Sequence, residues 1–384
     1  MSGEEKAKTS DAPLPASASA PVRAAQSTAA SRPHANEHIA LIGLGAIGVS
    51  FLALHLTYSS ATVSVYDPRP DLEDHIRTVL PLYLHDDHFA ETEDDAEGDI
   101  DIDIVSRLLD SQRLKLATSL EAACRNATIV QEQGPENLSF KQKTWAEVVR
   151  YVSSSCHLWS STSGIPASKQ LERLEYSESS NTTDESIEFE RTAAGARQRL
   201  LVVHPFNPPH IMPLLELVPS PSTSPEEVTF AKSYFTALNS GHRPITIHRE
   251  SAGFVANRLS FILFREACHL VNQGVASPEE IDEIVRASLG PRWAVAGPFK
   301  MYNFGGGNRG MKGFLENIGE SIGEVWNDAG LLTMDGHDSE EWKEKVVQET
   351  NRAYGLPKAQ DVRERDRGLK AVVGIQEELQ RDTT

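Results

Sequence analysis

The feature that most constrains the fold is a glycine-rich turn between two short apolar segments. Gly43-Leu44-Gly45-Ala46-Ile47-Gly48 follows a segment with the pattern of a strand, His38 to Ile42. It opens a segment with the pattern of a helix, Ala46 to Tyr58, and a second strand is predicted over Thr62 to Tyr66. This order of strand, turn, helix and strand is typical of the start of a parallel α/β sheet.

The spacing of the turn, GxGxxG, predicts that it binds a dinucleotide. Gly43 permits the tight turn, Gly45 lets the backbone approach a pyrophosphate, and Gly48 lets the helix pack on the strand. Asp67, 19 residues after Gly48, would accept hydrogen bonds from ribose hydroxyls and repel a 2′-phosphate, which favours NAD, whereas Arg69 keeps NADP open. A turn without a ligand is the alternative. The cofactor-binding candidates here are Gly43, Gly45, Ala46, Ile47, Gly48 and Asp67.

The predicted elements change in kind near Glu250. We expect an α/β fold class, with a Rossmann-type dinucleotide-binding domain over residues 37–250 and an all-α C-terminal domain over residues 251–384. Further strands are predicted over Ala127 to Gln131, Leu158 to Ser160, Leu200 to His204, Leu214 to Val218 and Pro244 to His248. The helices predicted after the boundary are Phe254 to Gln273, Pro278 to Leu289, Gly310 to Asn327 and Glu340 to Ala353.

Three polar segments are predicted to lie outside the packed core. Residues 1–36 are rich in Ala, Ser and Pro and predict a disordered tail, with a mitochondrial transit peptide as the alternative. Residues 85–104 hold ten acidic residues and no Lys or Arg, which predicts a solvated insertion. Residues 175–199 predict a second polar insertion. Because much of the net charge of -18 is local to the acidic segment, it indicates only that a basic nucleic-acid footprint is absent.

The sequence lacks the usual signals of a disulfide framework, a metal site and secretion. The three cysteines form no CxxC pair, no metal-ligand spacing connects the histidines, and no secretory h-region precedes the first strand. The longest apolar stretch, Ile39 to Leu56, contains three glycines and is assigned to a strand and a helix rather than a membrane span. We therefore expect a cytoplasmic protein without a metal, with no membrane or nucleic-acid partner.

A second candidate site combines a histidine and a glutamate. His204 ends a predicted strand, and the prolines of His204-Pro205-Phe206-Asn207-Pro208-Pro209 force the chain to turn there. Glu216 lies in the next predicted strand among apolar residues, where a carboxylate needs a partner. An imidazole is a suitable partner and would become a general base. On spacing alone, a structural histidine and a water-facing glutamate are the favoured alternative.

Five motifs, taken in order, resemble the 3-hydroxyacyl-CoA dehydrogenase superfamily over roughly residues 38 to 330. They are GxGxxG, then Val130-Gln131-Glu132 with Pro135-Glu136-Asn137-Leu138, then Ser160-Ser161-Thr162-Ser163, then His204-Pro205-Phe206-Asn207-Pro208, then Gly253-Phe254-Val255-Ala256-Asn257-Arg258-Leu259. Within it, Leu215-Glu216-Leu217-Val218-Pro219 and Gly290-Pro291-Arg292-Trp293-Ala294 look most similar to the lambda-crystallin / L-gulonate 3-dehydrogenase branch.

The resemblance implies a role for each matching residue. His204 would take the proton of the substrate's 3-hydroxyl while hydride passes to NAD, and Glu216 would support it as a His–Glu dyad. Ser163 and Asn257 would hydrogen-bond the reacting oxygen, although Ser163 could belong to a turn and Asn257 could be a helix cap. Two further positions match the nicotinamide end of the cofactor site: Glu132 and Lys141. A solvated helix lysine is the alternative for the latter.

The resemblance also predicts a substrate and an assembly. A small L-3-hydroxy acid such as L-gulonate is the expected substrate, with Arg292, in a predicted loop, binding its carboxylate; a surface arginine is the alternative. A 3-hydroxyacyl-CoA thioester or a carnitine-like substrate is the enzymatic alternative, and an NAD-binding crystallin-like structural protein is the non-enzymatic one. The long helix from Phe254 to Val275 carries more apolar residues than one narrow stripe. In the family that the chain resembles, such a helix lies at a homodimer interface, so the resemblance implies a homodimer.

Overall fold

One mostly parallel sheet forms the centre of the computed structural model, which describes residues 32–84, 104–172, 193–335 and 338–381. Within these residues it has eight strands in the order β3-β2-β1-β4-β5-β6-β7-β8. Strands β1 to β6 run parallel to one another, β7 is antiparallel to β6, and β8 is parallel to β7. The strands are β1 (His38–Ile42), β2 (Thr62–Tyr66), β3 (Leu114–Leu116), β4 (Ile129–Glu132), β5 (His157–Ser160), β6 (Leu200–Pro205), β7 (Leu214–Pro219) and β8 (Arg243–Thr246).

Helices connect these strands and then continue alone after β8. The first group is α1 (Ala46–Tyr58), α2 (Leu72–Val79), α3 (Ile104–Asp110), α4 (Leu120–Cys124), α5 (Leu138–Tyr151), α6 (Ala167–Gln170), α7 (residues 193–199) and α8 (Pro225–Ala237). The second group is α9 (Ala256–Asn272), α10 (Pro278–Ala287), α11 (Leu289–Val295), α12 (Pro298–Gly305), α13 (Gly310–Asp328), α14 (Asp338–Tyr354) and α15 (Ala359–Arg381). The predicted fold class, a Rossmann-type domain followed by a helical domain, is confirmed, whereas the domain boundary near Glu250 stays a prediction.

The sheet is buried on both faces because its strands are apolar on both faces. In β1, Ile39 and Leu41 point to one side, where they join a core with α1 and α8, and Ala40 points to the other, where it joins a core with α5. Alternation of side chains along a strand produces this division. Parallel sheets in α/β proteins are covered in this way, and the covered sheet is a rigid support for the site at its edge.

The site lies where the carboxyl ends of the parallel strands meet. β1 has β2 on one side and β4 on the other. The chain therefore passes from β1 to β2 in one direction across the sheet and from β4 to β5 in the opposite direction. A crevice opens at such a switch point, and ligands bind there in open α/β sheets. The glycine turn before α1, the segment after β2 and the segment after β4 all line it.

The helical part buries few of its own apolar side chains. Of α13, a helix of 19 residues, only Gly313 is buried. On α9, Leu259, Phe261, Ile262 and Phe264 are each more than half exposed. None of the helices in the described ranges is both long and apolar enough to cross a membrane.

Several predicted boundaries and segments differ from the structure. The end of the predicted polar insertion forms α7, because Ala193 and Ala196 are buried against the sheet. Within the predicted tail, His34 stacks on Tyr234 with ring centroids 4.0 Å apart. Strand β3 and the C-terminal helix α15 were not predicted. The tail up to residue 31, residues 85–103 of the acidic insertion and residues 173–192 lie outside the described residues.

Candidate active site

The glycine turn has the geometry of a phosphate cradle. Gly43 adopts a φ of +90°, in the left-handed region that favours glycine. A Cβ on Gly48 would lie 2.1 Å from the Gly43 carbonyl oxygen, so α1 packs on the turn only because this residue is glycine. A Cβ on Gly45 would meet nothing within 4 Å, because this position faces the open crevice. The helix α1 begins at Ala46, directly after Gly45. The N–H groups of its first turn, including those of Ala46 and Ile47, therefore lie at the glycine turn, where they can bind a phosphate.

Asp67 lies beside this turn at the carboxyl end of β2. Its Oδ2 accepts a hydrogen bond of 2.7 Å from the Leu44 N–H, and its Oδ1 accepts one of 3.0 Å from the Arg69 N–H. The Arg69 side chain forms an ion pair of 3.4 Å with the same carboxylate. These residues line a crevice of about 690 Å³. The open face at Gly45 and the carboxylate beside it fit the pyrophosphate and a ribose of a dinucleotide.

Glu132 and Lys141 form an ion pair that is buried inside the protein. Their side chains are 0% exposed, and Lys141 Nζ lies 2.9 Å from each Glu132 oxygen. Glu132 also accepts from the Gly134 N–H at 2.7 Å and from Ser160 Oγ at 3.0 Å. The solvated-lysine alternative is therefore wrong, because the pair is desolvated. Contact with the cofactor stays a prediction; the geometry supports a role in holding the turn after β4 that lines the crevice.

His204 and Glu216 form a buried pair. The antiparallel register of β6 and β7 places them directly opposite each other, and His204 Nδ1 lies 2.8 Å from Glu216 Oε2. Their exposed fractions are 3% and 1%. The expected alternative of a glutamate facing water is therefore wrong. With Nδ1–H donated to the carboxylate, Nε2 is left as the basic atom of the imidazole.

The start of α9 fixes the other carboxylate oxygen. Glu216 Oε1 accepts hydrogen bonds from the N–H groups of Val255 at 3.0 Å and Ala256 at 3.1 Å. Burial alone would raise the pKa of Glu216, but the hydrogen bonds from His204, Ala256 and Val255 outweigh it and hold the pKa below its usual value. Glu216 is therefore a carboxylate, and it couples the sheet to the helical domain.

Asn257 and Ser163 lie next to the basic nitrogen. Asn257 Nδ2 is 3.5 Å from His204 Nε2 and donates a hydrogen bond of 3.2 Å to the Ser163 carbonyl. Both residues line a cleft of about 650 Å³. The structure thus brings together the four residues expected to be catalytic, and their roles stay a prediction. The capping alternative for Asn257 does not apply, because α9 begins one residue earlier, at Ala256.

Glu136 is a residue of this cleft to which the sequence interpretation assigned no role. It lies in the Pro135-Glu136-Asn137-Leu138 motif, and its Oε1 accepts from Thr162 Oγ1 at 2.7 Å and from the Gly164 N–H at 2.8 Å. Arg258 and Phe261 of α9 line the same cleft. The motif was the available signal, but nothing in its spacing indicates that the chain folds back onto the loop after β5.

Arg292 is not placed with these residues. It is exposed, it belongs to the helix α11 rather than to a loop, and it is not among the residues that line the cleft. Its predicted location in a loop is therefore wrong, and its carboxylate-binding role stays a prediction that this placement does not support. Within the described ranges, no group of three or more His, Cys, Asp or Glu could hold a metal ion.

Family models match both parts of the chain. The model of the 3-hydroxyacyl-CoA dehydrogenase NAD binding domain matches residues 38–183 and 178–251, and the model of the C-terminal domain of the same enzyme matches residues 253–334. The chain belongs to the 3-hydroxyacyl-CoA dehydrogenase family. Its cofactor is therefore NAD, and it is an oxidoreductase that acts on a CH–OH group.

Relatives within the family differ in their substrates. An L-carnitine dehydrogenase from Oceanobacillus iheyensis is 32% identical over 312 residues, which cover 81% of this chain and 88% of that protein. A 3-hydroxyacyl-CoA dehydrogenase from Gibberella moniliformis is 30% identical over 346 residues, which cover 89% and 95%. The predicted lambda-crystallin branch is not confirmed by these relatives.

A solved structure supports the fold. The NAD-dependent 5-formyl-3-hydroxy-2-methylpyridine 4-carboxylic acid 5-dehydrogenase superposes with a TM-score of 0.64. It is 24% identical, and the match covers 89% of this chain and 98% of that one. At this identity the likeness shows the fold alone.

Proposed function

We propose that the protein oxidises the 3-hydroxyl of a small, free L-3-hydroxy acid of the carnitine type to the corresponding 3-keto acid. The observation that carries the proposal is the buried His204–Glu216 pair, whose Nε2 lies beside Asn257 at the substrate cleft. A histidine whose Nδ1 is held by a carboxylate is suited to take a hydroxyl proton with Nε2. NAD accepts the hydride that leaves the carbon bearing this hydroxyl.

Each side chain then has one task. Asn257 donates to the substrate oxygen and keeps it near His204 Nε2, and Ser163 lines the same cleft beside Asn257. Glu216 stabilises the imidazolium that forms when His204 takes the proton, because its carboxylate stays ionised. Since Glu216 accepts hydrogen bonds from the start of α9, the helix that carries Asn257 also holds the carboxylate that orients the base. Alignment of hydroxyl and base supplies much of the rate.

The charges of the cleft support a zwitterionic substrate. Glu136 and Arg258 line it together with the aromatic ring of Phe261. A carboxylate and an aromatic face attract a quaternary ammonium, and a guanidinium binds a carboxylate. L-Carnitine carries both groups on either side of its 3-hydroxyl. The similarity to L-carnitine dehydrogenases agrees with this choice.

L-Gulonate and a CoA thioester are the competing substrates. L-Gulonate has a carboxylate but no cation, so it would leave Glu136 without a partner of opposite charge in the substrate. A CoA thioester is suggested by the Gibberella moniliformis relative. It lacks the free carboxylate that Arg258 would bind.

The decisive experiment is a substrate panel with NAD and with NADP. We expect the highest kcat/KM with NAD and L-carnitine, and lower values with D-carnitine, L-gulonate, 3-hydroxybutyrate and 3-hydroxybutyryl-CoA. Glu136→Gln should raise KM for L-carnitine more than KM for 3-hydroxybutyrate, which has no cation. A preference for the CoA ester would refute the free-acid assignment, and a preference for L-gulonate would refute the carnitine type.

We also propose a homodimer built on the exposed face of α9. Leu259, Phe261, Ile262 and Phe264 are exposed apolar side chains of α9, of which Phe261 and Ile262 also line the cleft, and exposed apolar surface of this kind marks an interaction site. Light scattering should give twice the chain mass of 42.2 kDa. Phe264→Glu, which is outside the cleft lining, should give a monomer.

A further inference from the structure

Gln133 occupies the switch point of the sheet, immediately after β4. Its backbone N–H donates a hydrogen bond of 2.9 Å to the carbonyl of Ile42 at the end of β1. Its side-chain Cγ lies 3.4 Å from the position that a Cβ on Gly48 would occupy. The residue lines the cofactor crevice together with Gly43 and Gly45. The side chain of Gln133 is therefore next to the glycine turn.

The nitrogen of this amide has no partner in the part of the chain that the structure describes. Gln133 Nε2 is buried and makes no hydrogen bond to any of the described residues. A buried amide that loses water without gaining a partner is costly, and such groups are rare in folded proteins. An unpaired donor that belongs to a residue of the crevice indicates a ligand acceptor.

A chain of hydrogen bonds orients the amide. Tyr234 Oη donates to His55 Nδ1 at 3.0 Å, and His55 Nε2 donates to Gln131 Oε1 at 2.8 Å. Gln131 Nε2 donates to Ser161 Oγ at 3.3 Å, and Ser161 Oγ donates to Gln133 Oε1 at 3.5 Å. Burial lowers the pKa of His55 to about 4, so its ring is neutral and donates from one nitrogen only. The chain thus directs the oxygen of Gln133 toward Ser161 and leaves Nε2 as the unpaired end of the amide.

The order of the strands indicates which part of NAD lies here. Asp67, at the end of β2, suits the adenosine ribose, and the glycine turn after β1 suits the pyrophosphate. The base His204 ends β6. Because β4 stands between β1 and β6 in the sheet, the segment after β4 faces the part of the cofactor between pyrophosphate and nicotinamide ring.

We propose that Gln133 Nε2 donates a hydrogen bond to an oxygen of the nicotinamide ribose of NAD. The inference depends on the NAD site and not on the choice of substrate. It assigns Gln133 as a cofactor-binding residue that distinguishes the full dinucleotide from its adenosine half.

The test compares NADH and ADP binding by calorimetry and NADH fluorescence, without substrate. Gln133→Ala and Gln133→Met both remove the donor, and Met retains most of the side-chain volume. Each should weaken NADH binding roughly 5- to 50-fold and leave ADP binding unchanged. Gln133→Glu should lose more than either, because its carboxylate cannot donate and repels a phosphate. Gln360→Ala, an exposed glutamine of α15, is the matched control and should bind both ligands as wild type does.

Three results would overturn the proposal. Wild-type NADH affinity in the Ala and Met variants would show that the donor makes no contact. An equal loss of NADH and ADP affinity would place the contact on the adenosine or the pyrophosphate, or reveal a general disturbance. Wild-type affinity in Gln133→Glu would mean that the position accepts rather than donates. Melting temperatures of the ligand-free variants identify any loss that comes from misfolding, and the Met variant decides the question if the Ala variant is unstable.

Discussion

Replacing Glu216 by glutamine tests the dyad because it removes the charge behind His204 and keeps the side-chain length. The carboxylate accepts three hydrogen bonds, from His204 Nδ1 at 2.8 Å and from the N–H groups of Val255 at 3.0 Å and Ala256 at 3.1 Å. A glutamine has one oxygen to accept and an NH₂ that can only donate. If the glutamine oxygen keeps accepting the hydrogen bonds from the start of α9, the NH₂ group faces His204 Nδ1. Because both groups would then be donors, Nδ1 must give up its proton to accept from the NH₂ group.

The consequence for the base is large. The imidazole proton moves to Nε2, the atom that has to accept the substrate proton. Loss of a hydrogen bond to a charged group costs about 1.5–3 kcal/mol, or roughly 10- to 150-fold in rate. The tautomer change adds to this, and the corresponding carboxylate-to-amide change in the serine protease triad costs about 10⁴-fold. We therefore expect kcat of Glu216→Gln to fall by roughly 10³- to 10⁴-fold.

The assay is NADH formation at saturating substrate, with NADH affinity measured in parallel. NADH affinity should not change, because Glu216 is not among the residues that line the cofactor crevice. Glu216→Asp keeps the charge and should retain more activity than the glutamine variant, since it preserves the tautomer. If Glu216→Gln turned over within about tenfold of wild type, the tautomer argument and the assignment of His204 as the base would be refuted.

Three further changes test the structure around the site. His55→Gln removes a buried histidine whose pKa burial lowers to about 4, so the stability that it contributes is present above its unfolded pKa and is lost as the pH falls. In urea unfolding, the free-energy advantage of wild type over this variant should shrink by about 2 kcal/mol between about pH 8 and pH 5. Gly48→Ala should lower both melting temperature and NADH affinity, because its Cβ would meet the Gly43 carbonyl at 2.1 Å, whereas Gly45→Ala should lower NADH affinity alone. Lys141→Met leaves Glu132 buried without its cation and should reduce the free energy of unfolding by about 3–5 kcal/mol, most of which the double variant with Glu132→Gln should recover.

The first βαβ unit could be predicted to the residue because its signals are local. The strand His38–Ile42, the helix Ala46–Tyr58 and the strand Thr62–Tyr66 have the predicted bounds. Glycines mark the boundary between the first strand and the helix, and the run of β-branched residues from Thr62 marks the second strand. The helix α15 has no such signal, since its sequence is rich in charged residues and buries none of its side chains.

The residues of the candidate site could be predicted better than their surroundings. His204, Glu216, Ser163 and Asn257 do meet, but the sequence does not show that Glu132 and Lys141 neutralise each other away from solvent. That arrangement depends on α5 folding back over β4, which is a tertiary contact. The exposed position of Arg292 is likewise set by the packing of α11 and not by its neighbours in the chain.

The direction of one strand decides the chemistry of the whole site. Had β7 run parallel to β6, the eight residues between the strands, 206–213, could not connect them, since a parallel crossover needs a dozen or more residues. Antiparallel pairing lets the chain turn at the prolines after His204 and return through Glu216 in direct register. The same reversal leaves the second carboxylate oxygen facing the start of α9. The Glu216 carboxylate therefore connects His204, which lies on the sheet, with the helix that carries Asn257. A change in the position of α9 would disturb both the base and the side chain that donates to the substrate oxygen.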